Sequence, residues 1–280
     1  MAEIRVAREA GACYGVERAL RMVEEAADAA SGRVRTLGPL IHNPRVVDDL
    51  AARGVDAVDS PEEAAGDVLL LRTHGTAPEE ERRARELCSD VLDATCPFVK
   101  KVHQAAERLH SEGYRVVVVG EAGHPEVEAT LPHAPGAVVV GSAREAASLP
   151  RAHKLGVVVQ TTARRALLAE VVGALLGIAD EVRVMNTICE ATAGHQAAAE
   201  ELAREADVMV VIGGRISANT TRLAEISAAS CPRTHHVEGA DELRAEWFEG
   251  AGVIGITAGA STPASQIEAV RARIGELVGE

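Results

Sequence analysis

Aromatic side chains are nearly missing from this chain: two Phe, two Tyr and one Trp make up 2% of its 280 residues. Hydrophobic residues still reach 47%, so a core is available, but it has to be assembled from Ala, Val, Leu and Ile. Lysine is as scarce, confined to Lys100, Lys101 and Lys154, and the arginines are scattered through a chain of net charge −13. That excludes a basic stripe interleaved with aromatics and, with it, a nucleic-acid partner. An acidic surface serves solubility or a positively patched partner. No apolar run approaches a membrane span, and Met1–Ala10 lacks the apolar segment of a secretory signal. A cytoplasmic protein without membrane association is therefore expected. Five cysteines, an odd number, with no export signal argue against a disulfide framework. A Walker-type glycine-rich loop and a flavin or nicotinamide fingerprint are absent too. No Pro-, Gly- or Ser-rich linker divides the chain, so its parts are expected to pack around a shared centre.

What is present is a threefold repetition around three of the cysteines. Cys13, Cys96 and Cys189 are 83 and 93 residues apart, and each opens an amphipathic run: Val16 to Ala30, Val99 to Ser111 and Ala193 to Ala206. A polar signature comes 28 or 29 residues after each cysteine: His42-Asn43, His124, and Ser217 with Asn219. Each signature opens a second helical stretch. A short apolar run with an acidic turn follows, and then a buried-looking strand ending in polar residues: Thr73-His74, Gln160-Thr161-Thr162, and Ala258 to Ser261. Continuous apolar runs such as Val116–Val119 and Val208–Ile212 indicate strands covered on both faces. The expected fold is α/β: three pseudo-threefold-related lobes with small, mostly parallel sheets around a shared centre. The lobes are expected at residues 14–96, 97–189 and 190–280, with segment 1–13 near the centre. Cys88 and Cys231 fall outside the repeat and read as ordinary small buried residues.

The chemistry follows from where the polar residues fall. Asn43-Pro44, Cys96-Pro97, His124-Pro125 and Thr262-Pro263 each put a polar residue before a proline suited to the first helical position. Helix N-termini present unpaired N–H groups and favour anions, thiolates and phosphates among them. Three thiolates converging from three repeats are able to hold a metal centre, and three sulfurs on a cubic iron–sulfur cluster leave one iron without a protein ligand. His42, His74 and His124 sit in loops at strand ends, where they serve either as caps or as donors to a diphosphate. Ser217, Asn219, Ser261 and Thr161 are either helix caps or neutral hydrogen-bonding partners. Glu126, in the first turn of a helix, is either a dipole-favoured surface acid or a proton donor.

The ordered motifs Gly15-Val16-Glu17-Arg18-Ala19, Gly38 to Asn43, Thr73-His74-Gly75, Asp93 to Pro97, His124 to Val127, Gln160 to Thr162, Thr187 to Cys189 and Thr257 to Pro263 resemble those of the 4-hydroxy-3-methylbut-2-enyl diphosphate reductase family, over essentially the whole chain. The resemblance implies three lobes around a central cavity and a 4Fe–4S cluster on Cys13, Cys96 and Cys189 with one open iron. It implies a diphosphate pocket formed by His42, His74, His124, Ser217, Asn219 and Ser261. Glu126 would supply protons, with Thr161 at the substrate hydroxyl. The reaction implied is a two-electron reductive dehydroxylation of this allylic diphosphate to isopentenyl and dimethylallyl diphosphate, the last step of the non-mevalonate isoprenoid pathway. A ferredoxin- or flavodoxin-type partner would supply the electrons.

Four positions depart from the family pattern. Ala12 replaces a common aromatic, Ala218 replaces a serine, and Glu190 and His195 replace an Asn and an Arg near the third cysteine. Glu190 adds negative charge that should favour an oxidised cluster. These departures keep open a paralogue acting on a related allylic diphosphate. A redox-silent iron–sulfur dehydratase and a non-enzyme with structural zinc on three cysteines and a histidine are the remaining alternatives.

Overall fold

The structure, a computed structural model, describes residues 2–279. The strands and helices alternate in chain order: β1 (Glu3–Val6), α1 (Tyr14–Ala29), β2 (Val34–Leu37), α2 (Pro44–Ala52), β3 (Val55–Val58), β4 (Val68–Leu71), α3 (Pro78–Leu87), β5 (Asp90–Asp93), α4 (Pro97–Ser111), β6 (Arg115–Val119) and α5 (Pro125–Thr130). Then come β7 (Val138–Val140), α6 (Ala143–Ala147), β8 (Ala152–Val159), α7 (Arg165–Leu175), β9 (Ala179–Val184), α8 (Glu190–Ala203), β10 (Val208–Ile212), α9 (Ala218–Ser230), β11 (Thr234–Val237), β12 (Val253–Ala258) and α10 (Ala264–Val278).

The strands form three sheets of four, in the orders β3-β2-β4-β5, β7-β6-β8-β9 and β11-β10-β12-β1. Each repeats one plan, and in the third the fourth strand is supplied by the chain's N-terminal segment. Every strand pair among the described residues is parallel, where the sequence suggested only a parallel majority. Strands joined through helices have no hairpin to reverse them, and a crossover restores the strand direction.

The helices bury one face each. In α4 the buried positions Val99, Val102, Ala106 and Leu109 recur at helical spacing. Gly156 on β8 leaves room for Leu109, whose side chain would lie 3.0 Å from any Cβ added there. The central strand β10 is buried at all five positions, and the cores contain almost no aromatic rings. No helix among the described residues is long and apolar enough to cross a membrane. Cys231 is buried as expected, but Cys88 is only half-buried. Cys88 ends α3 where the chain turns out toward β5, so the expectation of a buried side chain is corrected there.

Two compact units divide the chain. One comprises Met1–Glu17, Ile41–Leu50 and Glu190–Glu280 and holds the sheet β11-β10-β12-β1; the other comprises Arg18–Leu40 and Ala51–Cys189 and holds the remaining two sheets.

Candidate active site

All three repeat cysteines lie immediately before a helix: Cys13 before α1, Cys96 before α4 and Cys189 before α8. All five cysteines of the chain are thiols. A common backbone device seats the three. The Cys96 N–H donates to the Thr73 carbonyl at 3.0 Å, the Cys189 N–H to the Thr161 carbonyl at 3.0 Å, and the Cys13 N–H to the Ala260 carbonyl at 3.1 Å. Thr73, Thr161 and Ala260 each stand two residues beyond the end of the third strand of a sheet, β4, β8 and β12 respectively. The repeat read from cysteine spacing is thus also a repeat of hydrogen bonds.

Two of the cysteine loops share a second device. The Asp93 carboxylate accepts from the Thr95 N–H at 2.9 Å, and the Asn186 side-chain oxygen accepts from the Ile188 N–H at 3.2 Å. Asp93 and Asn186 both precede their cysteine by three residues, and both close a local turn. The sequence reading passed over them, although their equal offset was the available signal.

In the larger unit the acid-base group is compact. Glu126 is buried in the first turn of α5, and its two oxygens accept from the Thr161 N–H at 2.7 Å and the Thr161 hydroxyl at 2.6 Å. Burial pushes its carboxyl above the ordinary range, against the pull of the two Thr161 bonds. The reading of Glu126 as a surface acid is thereby excluded. His124 caps α5, with Nδ1 accepting from the Glu126 N–H at 3.2 Å. An accepting Nδ1 places the proton of the neutral ring on Nε2. The His74 ring meets the His124 ring edge-on, with centroids 5.8 Å apart. Gln160 ties the two loops that carry this group: its oxygen accepts from the Glu121 N–H at 2.9 Å, and its amide donates to Thr162 Oγ1 at 3.1 Å.

In the other unit His42, Ser217, Asn219 and Ser261 surround tightly packed loops. Ser217 caps α9 by accepting from the Thr220 N–H at 3.3 Å. Asn219 is buried, and neither its amide nitrogen nor its oxygen has a hydrogen-bonding partner. A buried amide in that state is costly unless a ligand or water satisfies it. Asn43, also buried, donates to the Ser261 carbonyl and to Gln266 Oε1, both at 2.9 Å. The Ser261 hydroxyl donates to the His42 carbonyl at 3.2 Å, so that proton has to be redirected before Ser261 can serve a phosphate. Gly213 and Gly214 let two backbone segments of this unit approach closely. Gly213 has φ +139°, and a Cβ on Gly214 would lie 2.6 Å from the His42 carbonyl oxygen.

Ala218 is the first residue of α9 and half-buried, Glu190 is exposed, and His195 is buried inside α8. Burial lowers the His195 imidazole below its ordinary range, against the opposing charge of Glu9. A recess of about 350 Å³ beside Arg5 and Glu205 and another of about 340 Å³ beside Arg45 and Gln266 are lined by none of the candidate residues. Among the described residues, no three His, Cys, Asp or Glu side chains are grouped to hold a single metal ion.

Residues 4–275 match the model of the LytB protein family. The chain is 49% identical over 276 residues to 4-hydroxy-3-methylbut-2-enyl diphosphate reductase of Geobacter sulfurreducens, covering 98% of both chains. It is 44% identical over 281 residues to the enzyme of the same name from Aquifex aeolicus, covering 99% of this chain and 97% of that one. A solved structure of (E)-4-hydroxy-3-methyl-but-2-enyl diphosphate reductase, the terminal enzyme of the non-mevalonate pathway, aligns at TM-score 0.72 and 44% identity over 99% of this chain and all of that one. The E-1-hydroxy-2-methyl-but-2-enyl-4-diphosphate reductase of Plasmodium falciparum shares the fold at TM-score 0.91 and 24% identity, over 98% of this chain and 88% of that one.

Proposed function

The chain belongs to the LytB protein family, and we propose that it converts 4-hydroxy-3-methylbut-2-enyl diphosphate to isopentenyl and dimethylallyl diphosphate and water by two-electron reductive dehydroxylation. The observation that carries this reading is the junction at Thr161. Its N–H and hydroxyl hold the buried Glu126 carboxyl, and its carbonyl holds the Cys189 N–H. One residue therefore joins an acid of raised pKa to a cysteine seat.

Cys13, Cys96 and Cys189 fit an iron–sulfur cofactor, since they are three thiols seated by equivalent backbone bonds at three helix starts and such clusters take thiolate ligands. When bound to them, a 4Fe–4S cluster supplies electrons one at a time and an iron that the protein leaves unligated. The protein's own part is positioning and proton delivery. Burial favours the protonated form of Glu126, and in that form the Oε2 contact turns round, Oε2 passing its proton to Thr161 Oγ1 while the Thr161 hydroxyl proton moves to the leaving oxygen of the substrate. The carboxylate left behind keeps both Thr161 donors, so the charge forms where two hydrogen bonds already wait. His124, with its proton on Nε2, acts beside this pair and donates to the diphosphate. His42, His74, Ser217, Asn219 and Ser261 bind the diphosphate with it, and the unsatisfied Asn219 amide gains its partners there. The anchored diphosphate holds the reacting carbon in place.

The lobes are assigned to 14–96, 97–189 and 190–280, with segment 1–13 near the centre. A ferredoxin- or flavodoxin-type protein is the electron donor, and the reaction takes place in the cytoplasm. A second reading, a paralogue for a related allylic diphosphate, rests on Ala218 between the capping Ser217 and the buried Asn219.

The test is single-turnover product analysis on anaerobically purified, cluster-reconstituted protein, with and without a chemical reductant. Reductant-dependent formation of the two C5 diphosphates is expected. Product without reductant would establish a dehydratase instead. An intact cluster with no turnover would favour the paralogue.

A further inference from the structure

Arg18 lies in α1, five residues beyond Cys13, and is half-buried. Its guanidinium is aimed at backbone and not at a carboxylate: one nitrogen donates to the Asp93 carbonyl at 3.2 Å and another to the Thr95 carbonyl at 3.4 Å. Those two carbonyls flank Ala94 on the loop that ends in Cys96. A guanidinium fork suits such a pair of acceptors, because its donors are held in a rigid plane. Other bonds fix the same loop. The Ala94 N–H donates to Leu71, the Cys96 N–H to Thr73, and the Thr95 N–H to the Asp93 carboxylate.

The charges around this loop do not cancel. The Asp93 carboxylate pairs with Lys100 of α4. Arg18 has no ion-pair partner among the described residues. Among the groups bonded to this loop that is two cations to one carboxylate; from α3, Arg85 is held by Glu81 and also feels Asp93 and Asp90. The other asparagine-type turn, before Cys189, uses the neutral Asn186 and needs no such compensation.

We propose that Arg18 is a positioning residue for Cys96, and that its unpaired positive charge raises the reduction potential of the cluster held there. This inference rests on the cluster assignment made above. Reduction adds one negative charge to the cluster, and a neighbouring cation in a half-buried site favours the reduced form. An elementary charge so placed changes a one-electron equilibrium by roughly tenfold, which corresponds to about 59 mV.

The experiment is a potentiometric titration of the anaerobically reconstituted holoprotein, followed by its visible and electron paramagnetic resonance spectra, together with iron content per chain. Arg18→Met removes the charge and both bonds, Arg18→Gln removes the charge but keeps a donor, and Arg18→Lys keeps the charge but loses the fork. Lower midpoints are expected in the first two, by roughly tenfold in the reduction equilibrium, with Arg18→Lys close to wild type in potential. A purely structural role would reduce iron content in all three and leave the potential of the retained clusters unchanged, and that result would overturn the proposal. Should Arg18→Met retain no cluster, the comparison of Gln with Lys decides. A wild-type chain that takes up no iron would sink the functional reading itself, and this inference with it.

Discussion

Lowering the pH from about 7 to about 4.5 should cost the wild-type chain about 2 kcal/mol more stability than a His103→Leu variant. His103 is buried in α4 and stacked on His133, with ring centroids 4.3 Å apart and planes 20° from parallel. Its Nε2 has no hydrogen-bonding partner. Burial and the neighbouring His133 lower its pKa from 6.5 to about 4, with Asp93 pulling the other way and Lys100 adding to the shift. His133 is itself lowered by burial, against Glu107 and Glu81. The folded chain therefore holds His103 neutral where the unfolded chain takes up a proton. Stability is present at neutral pH and is lost as the pH falls below the unfolded value toward the folded one. The full shift is worth about 3 kcal/mol, most of which is reached by about pH 4.5. Leucine is close to histidine in volume and removes an unsatisfied polar atom, so the variant should stay within about 1.5 kcal/mol of wild type near neutrality. The assay is urea unfolding of the cluster-free proteins by far-UV circular dichroism at both pH values. Trp247 lies in the other unit, so its fluorescence is the wrong probe. Equal pH dependence in the two proteins would refute the reasoning.

Glu126→Gln preserves the shape and the bond from the Thr161 N–H, makes the amide the donor to the Thr161 hydroxyl, and should lower turnover by about 10²- to 10⁴-fold while leaving iron content unchanged. A carboxyl whose folded pKa is raised stabilises the fold below its unfolded pKa and loses that contribution as pH rises. Glu126→Gln should therefore gain relative stability as the pH rises above the ordinary carboxylate range, as denaturant titrations across pH would show. Replacing any one of Cys13, Cys96 and Cys189 with Ser should strip most of the iron, while Cys88→Ser and Cys231→Ser should retain it, as iron analysis after reconstitution would report. Gly259→Ala should cost about 1–3 kcal/mol by overpacking, since the new Cβ would meet the Thr220 hydroxyl at 2.0 Å. Adding Thr220→Ala, which deletes an unpartnered hydroxyl, should restore part of that loss in Trp247-monitored unfolding.

The strands that the sequence made legible are the ones buried on both faces. Val116–Val119 and Val208–Ile212 are continuous apolar runs, and they became β6 and β10. The edge strands β1, β5 and β9 were hidden because solvent on one side admits Glu3, Arg5, Asp90, Glu181 and Arg183 into them. β2 was hidden for another reason. It lies inside its sheet, but its Arg35 breaks the apolar run and is balanced by Asp56 at 2.6 Å and Asp67 at 3.3 Å. At the site, helix starts were legible through proline and capping residues, and the three cysteines were placed correctly before α1, α4 and α8. Arg18 and Gln160 were not recognised as joining loops, because a side chain that bonds backbone far along the chain leaves no periodic or compositional trace.

The three cysteine seats suit the one-sided reaction proposed for this threefold chain. Backbone geometry is shared: an N–H from each cysteine reaches a carbonyl two residues past the third strand of a sheet. Cluster binding by three thiolates asks for that equality. Side chains at the same positions differ, because proton transfer to one leaving oxygen asks for a single acid. Thr73 spends its hydroxyl on the Leu40 carbonyl at 2.9 Å, Ala260 has no hydroxyl, and Thr161 alone faces a buried carboxyl. The turn before the cysteine diverges in the same way, with a charged Asp93, a neutral Asn186 and an Ala10 that has no side-chain acceptor. A repeat whose backbone stays equal while its side chains diverge can keep three ligands in register and still assign acid chemistry to one loop and surplus positive charge to another.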